Sequence, residues 1–268
     1  MGLRNSIGFA GILAVLLFPL LADGGDRPYP SPAAGNSRSG RPEVLFTFDD
    51  GPHPTRTQKI LNTLAEHRVE SLFFWVGNRV GNQSRLPIVN RTLAAGHLVG
   101  NHTVSHPHLC SISKRRARRE IDRNQKIYTR LTGTAPLFFR APYGDNCRTL
   151  RTLLAKRKMT HLHWDIDPQE WELNSTDETT NKVIRKLQRL RGRAVVLMHD
   201  THIVTVRALP KILEWIEKVN KRRPPRRRIK IISPRDLLLE ASPWLQFCGD
   251  LGEQTRGTLL KRLKDFAF

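Results

Sequence analysis

Cysteine is almost missing from this chain: Cys110, Cys147 and Cys248 are all it has in 268 residues, and no two stand as a Cys-x-x-Cys pair. That excludes a disulfide-built framework and a cysteine-built structural metal site. It permits at most one intramolecular disulfide, with three pairings left open. Acidic residues are also scarce, 24 Asp and Glu against 45 Lys and Arg, for a net charge of +21. A field of that sign favours anionic partners without identifying them. No recognised nucleic-acid-binding motif accompanies the charge, so nucleic acid is not an expected partner. The apolar run from Ile7 to Leu21 falls short of the ~20 residues that a membrane-spanning helix needs.

What is present fits a globular protein, with 39% hydrophobic and 26% charged residues. Arg4 precedes the apolar run, and Ala22-Asp23-Gly24-Gly25 supplies a small-residue exit. Residues 1–25 therefore read as a signal peptide or N-terminal anchor, and the expected location is secreted or associated with the cell envelope. Residues 26–41, rich in Pro, Ser and Gly, read as a flexible linker. The catalytic domain is expected over 42–240, followed by a helical tail over 241–268 whose apolar positions Leu259, Leu260, Leu263 and Phe266 alternate with basic ones. Two basic clusters, Lys114-Arg115-Arg116 with Arg118-Arg119 and Lys221-Arg222-Arg223 with Arg226-Arg227-Arg228, read as solvated faces or as contacts for an anionic envelope polymer. Asn101 lies in an Asn-x-Thr triplet, but its closeness to a candidate ligand motif argues against a glycan there.

From Pro42 onward, short apolar runs alternate with helical periodicity, the pattern of parallel strands wrapped by helices. Strands are predicted at 44–48, 71–76, 97–100, 137–139, 160–166, 194–198 and 229–232. The intervening helices include a long basic one capped by Ser113, one opened by the capping-box string Ser175-Thr176-Asp177-Glu178, and an amphipathic one over 209–219. About seven βα units in this length suit a barrel better than an open sheet.

Polar motifs sit at the carboxyl ends of these strands, where barrel active sites are built. They are Thr47-Phe48-Asp49-Asp50-Gly51-Pro52, His102-Thr103-Val104-Ser105-His106, Arg140-Ala141-Pro142-Tyr143, Asp167-Pro168-Gln169-Glu170-Trp171 and Leu197-Met198-His199. His102 and His106 are four residues apart, and if helical they share one face. Two imidazoles and an Asp leave coordination positions open, as in a catalytic zinc site. Adjacent Asp49 and Asp50 repel one another unless a cation and Arg140 offset their charge.

In order and rough spacing these motifs resemble those of the NodB-homology polysaccharide deacetylases, carbohydrate esterase family 4, over about residues 42–240. The resemblance implies a distorted, incomplete (β/α) barrel of about seven parallel strands in a single catalytic domain. It also implies hydrolysis of N-acetyl, or less often O-acetyl, groups on polysaccharides. Carried over motif by motif, it makes Asp50, His102 and His106 ligands of one divalent ion, zinc first, with cobalt or another transition metal as alternatives. Asp49 becomes the general base, paired with Arg140, and His199 the general acid oriented by Asp167, with Asp165 competing for that role. The backbone N–H of Tyr143 becomes an oxyanion donor, and Trp171 and Leu197 become the acetyl pocket. The expected substrate is N-acetylglucosamine polymer, chitin oligomers or peptidoglycan. The alternatives are an O-acetyl esterase on xylan and a catalytically silent carbohydrate- or envelope-binding protein.

Overall fold

A computed structural model describes residues 40–241; the leader, most of the linker, Cys248 and the expected tail helix lie outside them. Strand β1 (Glu43–Asp49) is completely buried, and its side chains divide by the period of two that a pleated strand imposes. Val44, Phe46 and Phe48 join the larger core cluster, packed with Ile60 and Leu64 of α1 (Arg56–Glu66), Val183 and Leu187 of α7 (Thr176–Gln188) and Leu209 and Ile212 of α8 (Ile203–Arg222). Leu45 instead enters a second cluster with Phe74, Phe138, Leu162 and Val195. Each fully buried aromatic or aliphatic side chain contributes roughly 1.5–3 kcal/mol.

The sheet is all parallel. β2 (Leu72–Trp75), β3 (Leu98–Asn101), β4 (Phe138–Phe139) and β5 (Thr160–His161) extend in order from β1, and β6 (Arg193–His199) flanks its other side. β7 (Lys230–Ile231) pairs with the start of β1, at Glu43 and Val44, while β2 pairs with its end. An isolated bridge between Ile166 and Val196 curls the chain after β5 back toward β6. The result is the expected incomplete barrel, with the helices outside it. β1 and β6 are aligned so that Asp49 lies beside His199 and Thr47 beside Leu197. Two motifs far apart in sequence thus end on the same rung.

The helices follow their local signals. Ser113 caps α4 (Lys114–Thr132) by accepting from the Arg116 N–H at 3.3 Å, and Gly133 ends it at φ +75°, a left-handed conformation that glycine adopts without strain. Ser175 caps α7 through the Glu178 N–H. Two elements differ from the sequence expectation. The run predicted as one strand over 160–166 is broken after His161, because the carbonyls of Leu162 and His163 accept from Arg140 instead of from a neighbouring strand. Helix α8 starts at Ile203 rather than near Leu209 and carries Pro210 inside it. Its buried stripe of Val204, Ala208, Leu209, Ile212, Leu213 and Ile216 is continuous, and that packing outweighs the hydrogen bond that proline removes.

The remaining helices are α2 (Gly77–Val80), α3 (Leu86–Ala94), α5 (Arg148–Ala155), α6 (Glu170–Leu173) and α9 (Pro234–Ala241). Cys110, before α4, is bridged to Cys147, the residue that caps α5. Beneath the β3 end, buried Asn124 of α4 donates to the Trp75 carbonyl at 3.3 Å and to Asn101 Oδ1 at 3.1 Å, and Asn101 Oδ1 in turn receives the Thr103 N–H. Replacing Asn124 with Ala leaves buried acceptors short of a donor. The expected cost is about 1–3 kcal/mol, read as a lowered urea midpoint with an unchanged m-value; an unshifted midpoint would show that this network carries no stability.

Candidate active site

All the residues singled out in the sequence motifs except Arg140 line one cavity of about 510 Å³ at the carboxyl end of the barrel, together with Ala141, Trp164 and His202. Arg140 lies directly beneath it, fully buried. Its Nη1 donates to Asp49 Oδ1 and to Thr47 Oγ1, each at 2.7 Å, its Nε to the Leu162 carbonyl at 3.0 Å and its Nη2 to the His163 carbonyl at 3.3 Å. The guanidinium also stacks 4.3 Å from the centroid of Phe74. Burial lowers its pKa from the usual value, while the charge of Asp49 acts in the opposite direction. Arginine nonetheless keeps its charge in proteins.

With Oδ1 of Asp49 held by Arg140, its Oδ2 faces His102 Nε2 at 3.8 Å. Asp50 turns at φ +73°, before the cis Gly51–Pro52 bond, and the successive carboxylates share His102 as a neighbour while Asp49 alone reaches Arg140 and Asp50 alone reaches His106. Asp50 Oδ1 lies 3.5 Å from His102 Nε2 and 3.2 Å from His106 Nε2. Burial opposes ionisation of Asp50, but the adjacent His102, with His199 and His106 behind it, outweighs burial and holds the carboxyl well below the usual carboxylate range. His106 is pushed below its usual pKa, chiefly by burial and next by His102.

His102 and His106 do not lie on a helix, contrary to the conditional sequence reading. They occupy the loop after β3, in which Thr103 and His106 adopt φ +63° and +60°. Those left-handed residues bring the two rings together at 4.9 Å between centroids, edge to face. His102 Nδ1 lies 2.8 Å from the Arg140 carbonyl, which can only accept, so Nδ1 carries the proton and Nε2 is directed at Asp50. Asn101 is buried and its amide donates to the Ile121 carbonyl, in keeping with the expectation that it bears no glycan.

Asp50, His102 and His106 each offer a ligand atom within 4.8 Å of the others. Asp50 Oδ1 is buried and has no hydrogen-bond partner. An orphaned carboxylate oxygen facing two imidazole nitrogens fits a divalent ion, and the donor set matches that of catalytic zinc sites.

On the opposite wall, the expected partner of His199 is corrected. His199 Nδ1 lies 3.0 Å from Glu170 Oε1, which also accepts the His199 backbone N–H at 2.6 Å and the Thr205 hydroxyl at 3.1 Å. Asp167 lines the cavity but turns its Oδ1 to the Gln169 N–H at 2.8 Å. An aspartate before a proline readily bonds its own backbone two residues on, and the next carboxylate in the motif is then free to reach the histidine. Gln169 at φ +57° delivers Glu170 as the first residue of α6. Asp165, the other contender, accepts the Val195 N–H. Burial opposes protonation of His199, but the hydrogen bond and charge of Glu170, aided by Asp49 and Asp50, push its pKa up to about 9. Asp167 is raised, mainly by burial.

Leu197 is buried in the cavity wall, whereas Trp171 and Tyr143 are 51% and 61% exposed at its rim, which rules out a core role for both rings. Tyr143 stacks on His108 with centroids 3.8 Å apart and stands edge-on to His106 at 4.7 Å. One buried acid behind the site escaped sequence reading. Asp200 Oδ2 accepts from Thr57 Oγ1 at 2.6 Å and Trp75 Nε1 at 3.0 Å, while its Oδ1, turned toward Gly51, has no partner. Burial raises its pKa to about 7.

A family model described as polysaccharide deacetylase matches residues 36–162. The chitooligosaccharide deacetylase of Rhizobium leguminosarum bv. phaseoli is 40% identical over 164 residues, 60% of this chain and 69% of that protein. The peptidoglycan-N-acetylglucosamine deacetylase of Bacillus cereus is 36% identical over 180 residues, 65% of this chain and 63% of that one. Among solved structures, the family 4 carbohydrate esterase from Streptomyces lividans in complex with acetate superposes with a TM-score of 0.62 at 32% identity, covering 72% of this chain and 94% of the other.

The folded state binds a proton at Asp200 that the unfolded chain releases, so this residue lowers stability as pH rises from 3.8 toward about 7. Asn at this position can accept the same two hydrogen bonds through its carbonyl. Asp200→Asn is expected to flatten that part of the stability–pH curve in thermal unfolding; an unchanged curve would mean Asp200 does not hold the proton.

Proposed function

Given that the chain belongs to the polysaccharide deacetylase family, we propose that it is a metal-dependent hydrolase removing N-acetyl groups from N-acetylglucosamine-containing polysaccharide, and that it works outside the cytoplasm. The observation that carries this reading is the orphaned Asp50 oxygen facing His102 and His106 beside a second carboxylate, Asp49, that Arg140 restrains. The two relatives are named as deacetylases of chitooligosaccharide and of peptidoglycan N-acetylglucosamine, and acetyl removal from either needs the same groups.

Asp50, His102 and His106 would hold the ion, with zinc the best match to two imidazoles and a carboxylate. When bound, it supplies Lewis acidity that polarises the acetyl carbonyl and makes water more acidic. Asp49 accepts the proton of the attacking water through Oδ2, the oxygen that Arg140 leaves open. The backbone N–H of Tyr143 donates to the oxyanion. His199, cationic through Glu170, gives its proton to the departing nitrogen, since an amine leaves poorly unless protonated. Asp167, which lines the same cavity, acts on His199 as a secondary charge, and Leu197 with Trp171 encloses the acetyl methyl.

Acetate release from chitooligosaccharides by the full chain is expected to vanish with a chelator, return with zinc, and fall by roughly 10²–10⁴-fold in Asp49→Asn, the range that a positioned general base contributes. Undiminished turnover in Asp49→Asn would remove the base assignment. The protonated form of His199 exists below about 9 and is lost above it. Glu170→Gln deletes the partner that raises this pKa, so the alkaline limb of kcat/KM should move to lower pH, whereas Asp167→Asn should move it less. The reverse ranking would restore Asp167 as the orienting residue.

A further inference from the structure

A second cavity, of about 830 Å³, runs beside the active site between α7 and the strand edge at Asp165, Ile166 and Ala194, and Asp167 borders both cavities. Lys182, Arg185 and Lys186 of α7, Arg189 at its C-cap and Arg191 beyond it line this groove. Positions 182, 185, 186 and 189 are spaced i, i+3, i+4 and i+7, which puts them on one side of the helix and its end, a ladder of positive charge about 10 Å long. Of the described cations outside the groove, only a few pair with acids, among them Lys211 with Asp177, Arg157 with Asp122 and Lys230 with Asp236; what sets the groove apart is that its cations line one cavity. In the groove, Lys182 reaches only the Gln169 amide, at 3.3 Å, and among the described residues no acid forms an ion pair with Arg185, Lys186, Arg189 or Arg191. Arg193, at the inner end, is already bound to Glu43, and Asp165 is occupied by the Val195 N–H.

We propose that this groove binds carboxylate-bearing substituents of the glycan whose acetamide enters the active site, so that the preferred substrate is an acidic polymer rather than a neutral one. The proposal rests on the deacetylase reading and refines it. A chain seated over Asp49 and His199 passes the Asp167 rim, and side branches on the units beyond it descend among the guanidinium forks, which match carboxylate geometry. A neutral polymer offers these cations hydroxyl and carbonyl acceptors but no counter-charge. Contacts remote from the reacting bond hold the substrate in register without touching the chemistry. Neither basic cluster noted in the sequence forms this surface; the groove comes from α7, whose cations are interspersed with its core residues Val183 and Leu187.

The test uses the full-length chain with zinc and three ligands: soluble peptidoglycan glycan strands with free stem carboxylates, the same strands with those carboxylates amidated, and chitooligosaccharides. Calorimetric binding and acetate release are both measured. At low salt, the wild type is expected to bind free-carboxylate strands about tenfold more tightly than amidated ones, and added salt should shrink the advantage. Arg185→Glu/Arg189→Glu should abolish the preference, with the loss appearing in KM; Arg185→Gln/Arg189→Gln, which keeps the helix and only removes charge, should give an intermediate loss. Equal binding of free and amidated strands by the wild type overturns the proposal. So does an equal loss on both strands in the variants, or equally tight binding of single-stranded DNA. If carboxylate-dependent binding persists without acetate release from any ligand, the groove stands and the deacetylase reading falls. Acetate release without carboxylate preference has the opposite meaning.

Discussion

The buried ion pair between Arg140 and Asp49 is the constraint around which this barrel is arranged. A guanidinium taken wholly out of water is costly unless its donors are met, and here four of its five N–H groups are met by β1 and by the broken segment after β5, while the ring of Phe74 stacks on its face. Each partner gives something up. The chain at Leu162 and His163 forfeits ladder bonds, Thr47 spends its hydroxyl, and Asp49 loses one oxygen to a fixed partner. What remains is a carboxylate with a single open oxygen, held by the strand that supplies the core.

The same residue organises the His102 side. The Arg140 carbonyl, on the backbone that follows β4, fixes the ring of His102, so one residue positions Asp49 by its side chain and an imidazole by its main chain. The His199 side is built separately. Glu170 grips both the ring and the backbone of His199, and the β1–β6 register brings that histidine beside Asp49. Several left-handed residues, Asp50, Thr103, His106, Tyr143 and Gln169, occupy the loops between these groups. Conformations of this kind cost roughly 1–3 kcal/mol each and persist where surrounding contacts compel them.

The sequence made legible what depends on short-range pattern. Short apolar runs at 44–48 and 194–198 located β1 and β6, and Ser113, Ser175 and Gly133 marked helix ends by backbone chemistry that needs no tertiary context. The five motifs gathered into one cavity because each follows a strand end. What escaped depended on who reaches whom across the fold. Asp167 and Glu170 are both acids in one motif, and only the turn at Pro168 decides which of them faces His199. Asp200 directly follows a motif histidine, yet its burial against Thr57 and Trp75 comes from residues more than a hundred positions away. The break after His161 is invisible in the alternating segment 160–166, because its cause is an arginine just past another strand. The α7 groove escaped for the same reason: its cations are scattered singly along a helix and become a row only when it is wound.

The Cys110–Cys147 bridge joins the loop after His106 to the segment after Tyr143. Asp145 reinforces the joint by accepting the Cys110 N–H and lying 3.4 Å from His108, whose ring stacks on Tyr143. The Tyr143 rim of the cavity and the loop that presents the His106 ring are therefore joined as a single plate. The two rings, edge to face at 4.7 Å, are tied by a covalent bridge, a carboxylate and a stacked imidazole, so neither is placed independently of the other.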